Sequence, residues 1–315
     1  MKGDFTRHTY ASDKHYTAVL LQQGRVLTDS DWNEQGTIDR ARRRTALADI
    51  IGPAGGPEGE DGFAVVASSG TLSLKKGRYY VDGVLCELEA DTPVASQPDL
   101  GGFDPLAGQP AGRFALYLDV WERHVTHIED PEIKEKALGG PDHCTRAQVV
   151  AQARLLPLEG AETTAECARL HDPAELSALL DAGLGMVAAS VDPTPDDIDP
   201  CIVPARAGYR GLENQLYRVE IHRGGHHDAG SDQVTFKWSR DNGSVVTAWE
   251  PYVHVGDPPE VLVVADLGPS PERGFQEADV LVELLDDSHQ LTPAPGTLAW
   301  VQSADEASRT ITVRD

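Results

Sequence analysis

The stretch TLSLKKGRYYVDGVLCELE, residues 71–89, alternates apolar and polar side chains on either side of a central Asp82-Gly83 pair. Alternation with a period of two is typical of strands that are buried on one face. Asp-Gly between two such runs favours a two-residue β-hairpin turn, because both turn positions need a positive φ angle. The stretch therefore predicts a small unit of short antiparallel strands, and it sets the expectation of a mainly β chain.

On the C-terminal side of this unit, a linker rich in Pro and Gly ends near Pro110, and its composition predicts no regular structure. Alternating apolar residues then predict strands over 113–156. An irregular insertion is predicted at 157–213, with one short helix capped by Asp172. The insertion separates the first strands from those that follow it.

Strand patterns return at residues 215–222 and 233–250, and the second segment predicts a hairpin folded at 241–243. From residue 251 onward, short apolar runs alternate with polar turns, which favours a small barrel-like unit. Three tryptophans fall within strand patterns and are predicted to lie in the core: Trp121, Trp238 and Trp249.

On the N-terminal side, KHYTAVLLQQGRVLTDSDWNEQ, residues 14–35, indicates an extended arm that leads into a helix. Asp31 with Glu34 three residues later predicts a capping box, and Gly52-Pro53 predicts the end of the helix. The apolar positions that give the helix a partly amphipathic pattern are Ile38, Ala41, Leu47, Ile50 and Ile51.

The fold class predicted from these patterns is mainly β, with an N-terminal arm and helix followed by several small sheets or sandwich- or barrel-like units. The predicted segments are an arm and helix at 1–62, a small β unit and linker at 63–110, a central β domain at 111–250 and a barrel-like unit at 251–315.

Charge excludes several classes of partner. The chain has 27 Lys and Arg against 51 Asp and Glu, a formal net charge of -24, so it repels phosphate backbones and anionic lipid surfaces. Neither nucleic acid nor a membrane span is expected, and the first residues lack the apolar segment of a signal peptide. We expect cytoplasmic synthesis and assembly. The four cysteines are too few for a disulfide scaffold, although Cys167 and Cys201 could bridge one loop.

The start of the helix carries a dense group of polar residues and one tryptophan. Asp29 and Asp31 are expected to satisfy the free amides of the helix N-terminus, with Arg25 paired to one of them. A calcium loop is disfavoured, because the sixth position counted from Asp29 is Glu34 instead of glycine. Trp32 is expected to pack on the body of the protein or on a neighbour. The predicted assembly residues in this stretch are Arg25, Asp29, Asp31, Trp32, Asn33 and Glu34.

The run RARRR, residues 40–44, lies in the middle of the predicted helix. It has two interpretations, a solvated helix face and a contact with an acidic surface of the same chain or of a second copy. The predicted assembly residues in this run are Arg40, Arg42, Arg43 and Arg44.

Two clusters have the side chains that a catalytic or metal site needs. His222, His226, His227 and Asp228 offer ligands for zinc or iron, but neighbouring side chains on an extended chain point apart, which favours a plain hairpin tip. The second cluster would serve glycoside hydrolysis, which needs two carboxyl groups across a sugar, and its members are Glu122, His124, His127, Glu129, Asp130 and Glu132. An acidic turn exposed to solvent is the simpler interpretation.

No nucleophile elbow, phosphate-binding loop or zinc-protease helix motif occurs in the chain. We therefore expect neither an enzyme nor a bound cofactor.

Three long phrases carry a resemblance to a known family: MKGDFTRHTYASDKHYTAVLLQQGRVLTDSDWNEQ, LYLDVWERHVTHIEDPEIKEKALGGPDHCTRAQVV, and GYRGLENQLYRVEIH with TFKWSRDNGSVV. The chain resembles an uncharacterised domain family found in phage-tail-like contractile injection systems and in some phage tail proteins. The resemblance implies a structural particle protein at the baseplate, fibre or surrounding cage, and it carries over no catalytic residue.

Two classes of function thus remain, a particle subunit and a glycan-binding module. A binding module needs exposed aromatics on a concave face, whereas a subunit needs arms and apolar interfaces. Aromatics make up only 6% of the chain, which favours assembly with other particle subunits. The protein is then expected to be particle-associated or extracellular after assembly. A homo-oligomer is expected, most simply a trimer by analogy with tail fibres, with an open edge strand at 310–313 able to pair with a neighbour.

Overall fold

The structure is a computed structural model. The residues it describes are 2–107, 114–138, 143–157, 217–224, 234–239, 244–250, 261–270, 274–275, 280–292 and 294–314. Strands account for 39% of these residues and helices for 16%, so the predicted mainly β chain with one N-terminal helix and several small sheets is confirmed. The short helix at Asp172, the 241–243 turn and the Cys167–Cys201 pair lie outside the described residues. The predicted segment boundaries remain predictions.

An arm, residues 2–28, precedes the helix α1, Asp29–Ile51. The N-cap residue is Thr28, whose hydroxyl accepts from the Asp31 amide at 3.3 Å, while Asp31 accepts in return from the Thr28 amide at 3.4 Å. The predicted capping box of Asp31 with Glu34 is therefore wrong. The box lies three residues earlier, because the Thr28 hydroxyl caps the helix before Asp31 is reached. The helix ends at Gly52, as predicted, where φ is 92° and the amide bonds to Ala48.

Six short strands follow α1 and form two three-stranded sheets, with orders β1-β4-β5 and β2-β3-β6. The strands are β1 Ala54–Gly55, β2 Val65–Ser68, β3 Thr71–Leu74, β4 Gly77–Val81, β5 Val84–Leu88 and β6 Thr92–Pro93. The linker predicted to be irregular thus contains β6 and one 3-10 turn, Val94–Ser96. β6 forms there because Thr92 and Pro93 pair with the end of β3.

The predicted hairpin at Asp82-Gly83 is confirmed: β4 and β5 pair across it, and φ is 45° at Asp82 and 72° at Gly83. The turn also supports α1, because a Cβ atom on Gly83 would lie 2.1 Å from the Arg44 carbonyl oxygen. The helix backbone and the hairpin turn therefore meet at a point where only glycine fits.

This close approach predicts that Gly83→Ala destabilises the protein by about 2 kcal/mol or more, since overlap adds to the strain of a left-handed residue. Gly70→Ala is the matched control, because Gly70 also has a positive φ, 81°, but a Cβ there would meet nothing within 4 Å. We expect the control to cost only about 1 kcal/mol. Urea denaturation of both variants measures the difference, and equal losses would show that α1 does not rest on the turn.

A long two-stranded ribbon forms the centre of the molecule. β7, Phe114–Val125, and β8, Arg146–Pro157, pair in antiparallel register along their full length. The ribbon packs on the small sheets, and the buried side chains of this core are Phe63, Leu74, Cys86, Leu88, Val94 and Ala153. Apolar side chains of the predicted strands, among them Leu116, Leu118 and Val120, thus pack against the small sheets.

The C-terminal part contains a hairpin and a five-stranded antiparallel sheet of order β11-β12-β15-β14-β13. The strands are β9 Arg218–Arg223, β10 Thr235–Ser239, β11 Trp249–Glu250, β12 Val261–Val264, β13 Leu281–Leu284, β14 Thr297–Asp305 and β15 Thr310–Arg314. The prediction of an open edge at 310–313 is wrong, because β15 lies inside the sheet and pairs with both β12 and β14.

Hydrogen bonds join the ribbon to the loop that follows β13. The Trp121 indole donates to the Gln290 carbonyl at 2.8 Å, and the His124 amide donates to the Gln290 side chain at 2.8 Å. Gln152 on β8 is fully buried, and its amide donates to the Leu291 carbonyl at 3.1 Å and to the Asp99 carbonyl. These bonds fix the C-terminal part against the centre of the molecule.

Candidate assembly surfaces

The first residues of the arm are buried against the end of β7. The Lys2 ammonium pairs with Glu129, and the Lys2 amide donates to Nδ1 of His124 at 3.2 Å. Burial, together with repulsion by Arg123, lowers the pKa of Lys2 to about 8. The arm is therefore held at its root by contacts that are distant in sequence.

The arm is then held against the first turns of α1. Thr6 donates from its amide to Asp29 at 3.1 Å and from its hydroxyl at 2.9 Å, Thr9 donates to Glu34, and the Val19 amide donates to the Gln35 side chain at 2.7 Å. The predicted pair between Arg25 and Asp29 or Asp31 is absent among the described ion pairs, because Thr6 and the capping box occupy these carboxylates. The Asn33 side chain is exposed.

The Thr6 bonds predict how the arm responds to acid. The Thr6 amide, followed by its hydroxyl, lowers the pKa of Asp29 below 3.8. A lowered carboxyl pKa stabilises the folded state above the unfolded pKa, and this contribution is lost as the pH falls through the folded pKa. We therefore expect Asp29→Asn to lower the protection of arm amides against hydrogen exchange at neutral pH. In the parent this protection should fall below about pH 4, and in the variant that fall should be absent once intrinsic exchange rates are taken into account. Asp49→Asn is the control, since Asp49 is exposed near the other end of the same helix.

Beyond its anchors the arm presents an apolar loop to solvent. This arm loop, residues 19–27, turns at Gly24, where φ is 73° and the Arg25 amide bonds to the Gln22 carbonyl at 3.2 Å. Leu20 and Val26 are each 86% exposed. Leu21 and Leu27 are exposed as well. An isolated exposed leucine needs no explanation, but three leucines and one valine exposed within one short loop form an apolar surface.

Trp32 is a further exposed apolar side chain, on the first turns of α1. It is 71% exposed, so within the part of the chain that the structure describes it does not pack on the protein body. The expectation that Trp32 packs on a neighbour remains a prediction. The sequence pattern singled out this stretch as a candidate assembly site, but it did not show that the apolar side chains are exposed.

The hairpin β9–β10 has an apolar face that points to solvent. The exposed members of this hairpin face are Tyr217, Val219, Ile221, Phe236 and Trp238. Phe236 is opposite Ile221 and Trp238 is opposite Val219, while the Tyr217 and Trp238 rings stack with centroids 6.1 Å apart. Phe236 is 65% and Trp238 is 60% exposed, so the prediction that Trp238 lies in the core is wrong.

The polar side of the hairpin explains why Trp238 is exposed and not in the core. Lys237 pairs with Glu220 at 3.3 Å and with Glu283 on β13. His222 contacts the Thr235 hydroxyl and the Gly296 carbonyl, each at 2.8 Å, so both ring nitrogens are engaged. Because these bonds attach the polar side to the C-terminal sheet, the apolar side is left outside. Trp249 packs against the C-terminal core and Trp121 is half-buried, closer to the prediction.

The arginine run divides between the two predicted interpretations. Arg44 pairs with Glu122 on β7 at 2.7 Å, which is the predicted contact with an acidic surface of the same chain. Arg40 donates to the Thr37 hydroxyl at 3.3 Å. Arg40, Arg42 and Arg43 are exposed and have no carboxylate partner among the described ion pairs.

Three of the four carboxylates considered for glycoside hydrolysis have structural partners. Glu122 binds Arg44, Glu129 binds Lys2 and accepts from the Thr126 amide at 2.9 Å, and Asp130 accepts from the Glu132 amide at 3.1 Å. Within the described ranges no group of three His, Cys, Asp or Glu side chains is placed to hold a metal ion. His226, His227 and Asp228 lie outside those ranges.

No helix in the described part of the chain is both long enough and apolar enough to cross a membrane. Comparison with known proteins gives one family: the model of a family of unknown function, DUF6519, matches residues 1–183 and 161–314. No curated protein and no solved structure matches the chain significantly.

Proposed function

The chain belongs to the DUF6519 family of unknown function, and we propose that it is a structural subunit of a phage-tail-like contractile injection particle, at the baseplate, fibre or surrounding cage. Two apolar surfaces support this proposal, the arm loop and the hairpin face. The hairpin face is attached to the body by polar bonds on its other side, whereas the arm loop follows the anchors at Thr6, Thr9 and Val19. A subunit that binds protein neighbours needs surfaces of this kind.

The hairpin face is the observation that carries the proposal. Tyr, Trp and Phe are enriched in the cores of protein interfaces, and they supply a large share of binding energy where they become desolvated. The five members of the face are uncharged, and the exposed residue that follows on the same side of β9 is Arg223. An uncharged surface matters in a chain with a net charge of -24. Neighbours of like charge repel at long range, so contact is most favourable where apolar burial dominates.

The partners under this proposal are other subunits of the particle, with further copies of the same chain among them. A trimer is the simplest homo-oligomer by analogy with tail fibres. Its contacts would rest on the arm loop and the hairpin face, since β15 is enclosed within its sheet. Assembly would take place in the cytoplasm, before the particle reaches its final location.

A glycan-binding module is the second candidate, and the stacked Tyr217 and Trp238 rings favour it. Aromatic faces exposed on a rigid hairpin are suited to stacking against sugars. The two candidates differ in what covers the face, a protein neighbour in one case and a carbohydrate in the other. A glycan array probed with the full chain separates them.

The proposal is tested by purifying sheath-containing particles from cells that produce the chain and measuring its copy number by mass spectrometry. We expect a fixed stoichiometry that survives high salt, because apolar contacts are not screened, whereas contacts made only of exposed ion pairs would dissociate. Removing residues 1–35 should release the chain from the particle. Particles that lack the chain, together with glycan binding by the free monomer, would favour the second candidate.

A further inference from the structure

One side of α1 carries three arginines and meets the β4–β5 turn at Gly83. Arg40, Arg43, Arg44 and Leu47 occupy positions i, i+3, i+4 and i+7, which bring side chains to the same side of a helix. All four line a cavity between α1 and the strands below it. Arg42 is absent from the lining of this cavity.

The cavity has a volume of about 590 Å³, which is within the range of small-molecule sites. Its apolar lining residues include Phe63, Leu74, Cys86, Leu88, Val149 and Ala151. Phe63, Leu74, Cys86 and Leu88 are buried members of the central core, so the accessible apolar floor of the cavity consists of partly exposed side chains on β5 and β8, which are Val84, Leu85, Val149 and Ala151. Positive groups on the helix therefore face an apolar floor.

The charges around the cavity leave a positive excess. Arg44 is paired with Glu122, and the carboxylate of Asp99, which also lines the cavity, lies 3.6 Å from Arg123. Arg40 and Arg43 have no carboxylate partner among the described residues. The other acidic side chain in the lining is Glu87, for which the structure gives no ion pair.

We propose that this cavity binds an amphiphilic anion, a molecule with an apolar chain or ring and one carboxylate or phosphate group. The arginines at the mouth would hold the anionic group, because a guanidinium donates two parallel hydrogen bonds to a carboxylate or phosphate. The apolar body would pack on the partly exposed side chains of Val84, Val149 and Ala151. This ligand site is distinct from the arm loop and the hairpin face and goes beyond the proposed structural role.

Isothermal titration calorimetry of the full chain with decanoate, decyl phosphate and decanol tests the site. We expect one decanoate or decyl phosphate per chain and much weaker binding of decanol, since decanol has the same chain but no charge. Stronger binding of one of the two anions identifies the preferred head group. Absence of binding by both anions at millimolar concentrations would overturn the proposal.

Matched variants locate the binding. Arg43→Gln should weaken decanoate binding at least about tenfold, the effect of losing a charged hydrogen bond. Arg42→Gln removes the same charge from the same helix outside the cavity lining and should leave the affinity nearly unchanged. Glu87→Gln should strengthen binding, because it removes the competing carboxylate.

Val149→Phe should abolish binding by filling the floor, whereas Trp238→Thr should have no effect because the hairpin face is elsewhere. Arg42 and Arg43 are exposed, so their variants remain informative even if Val149→Phe does not fold. Equal losses in the Arg42 and Arg43 variants, or loss of binding in Trp238→Thr, would show that the anion binds outside the cavity and would overturn the proposal.

Discussion

Replacing Phe236 and Trp238 together by threonine is expected to weaken association with neighbouring subunits by at least about a hundredfold while the protein remains folded. Large aromatics at an interface centre each contribute about 2 kcal/mol or more, and two such losses, about 4 kcal/mol, correspond to roughly a thousandfold and so exceed this factor. Both side chains are exposed in the structure, so their removal takes little from the core. Threonine keeps the β-branched shape that suits strands.

Val65→Thr with Val66→Thr is the matched control for the hairpin variant. These two residues are also exposed and also lie on a strand, β2, but they are outside both proposed surfaces. Urea denaturation checks the fold of both variants, and sedimentation with purified particle components measures association. A hairpin variant that associates like the control would remove the hairpin face from the interface.

Replacing Gln152 by alanine is expected to destabilise the protein by about 3 kcal/mol. The Gln152 amide donates to two carbonyls, those of Asp99 and Leu291, and its oxygen accepts from Arg154 at 2.7 Å. Because the site is fully buried, these groups lose their partner without gaining water, and an unsatisfied buried polar group costs about 1–3 kcal/mol.

Gln148→Ala on the same strand is the control, since Gln148 is exposed and accepts a single bond from Arg123 at 2.8 Å. We expect it to cost less than about 1 kcal/mol, in line with an exposed hydrogen bond. Chemical denaturation followed by tryptophan fluorescence compares the two variants. Equal stabilities would mean that Gln152 does not join β8 to the C-terminal loop.

Local signals in the sequence predicted local structure well. The Asp82-Gly83 turn and the end of α1 at Gly52 depend on a few adjacent residues, and both were found where predicted. The start of α1 was misplaced by three residues, because Thr28 and Asp31 form a second possible box beside Asp31 and Glu34. Both boxes satisfy the same rule, and only the three-dimensional path of the arm selects between them.

Contacts between distant residues explain the errors. Alternation in β9 and β10 predicts a strand with two unlike faces, but it does not say which face is buried. That choice is made by Glu283 and Gly296, which lie far along the chain and bind Lys237 and His222. Likewise, the place of β15 within its sheet depends on pairing with β12, which no pattern within 310–313 encodes.

The arginine run also shows that contacts between distant residues could not be predicted from the sequence. Helical spacing alone places Arg40, Arg43 and Arg44 on one side of α1, yet it does not reveal that a cavity lies beneath them. Glu122 is the partner of Arg44 because α1 packs across the β4–β5 turn at Gly83 and so approaches β7.

The proposed structural role is tested most directly by electron cryomicroscopy of sheath-containing particles from producing cells. We expect density for this chain at the baseplate, fibre or surrounding cage, with Phe236 and Trp238 of the hairpin face covered by a neighbouring subunit. Particles without this chain, or a bound chain whose hairpin face remains in solvent, would contradict it.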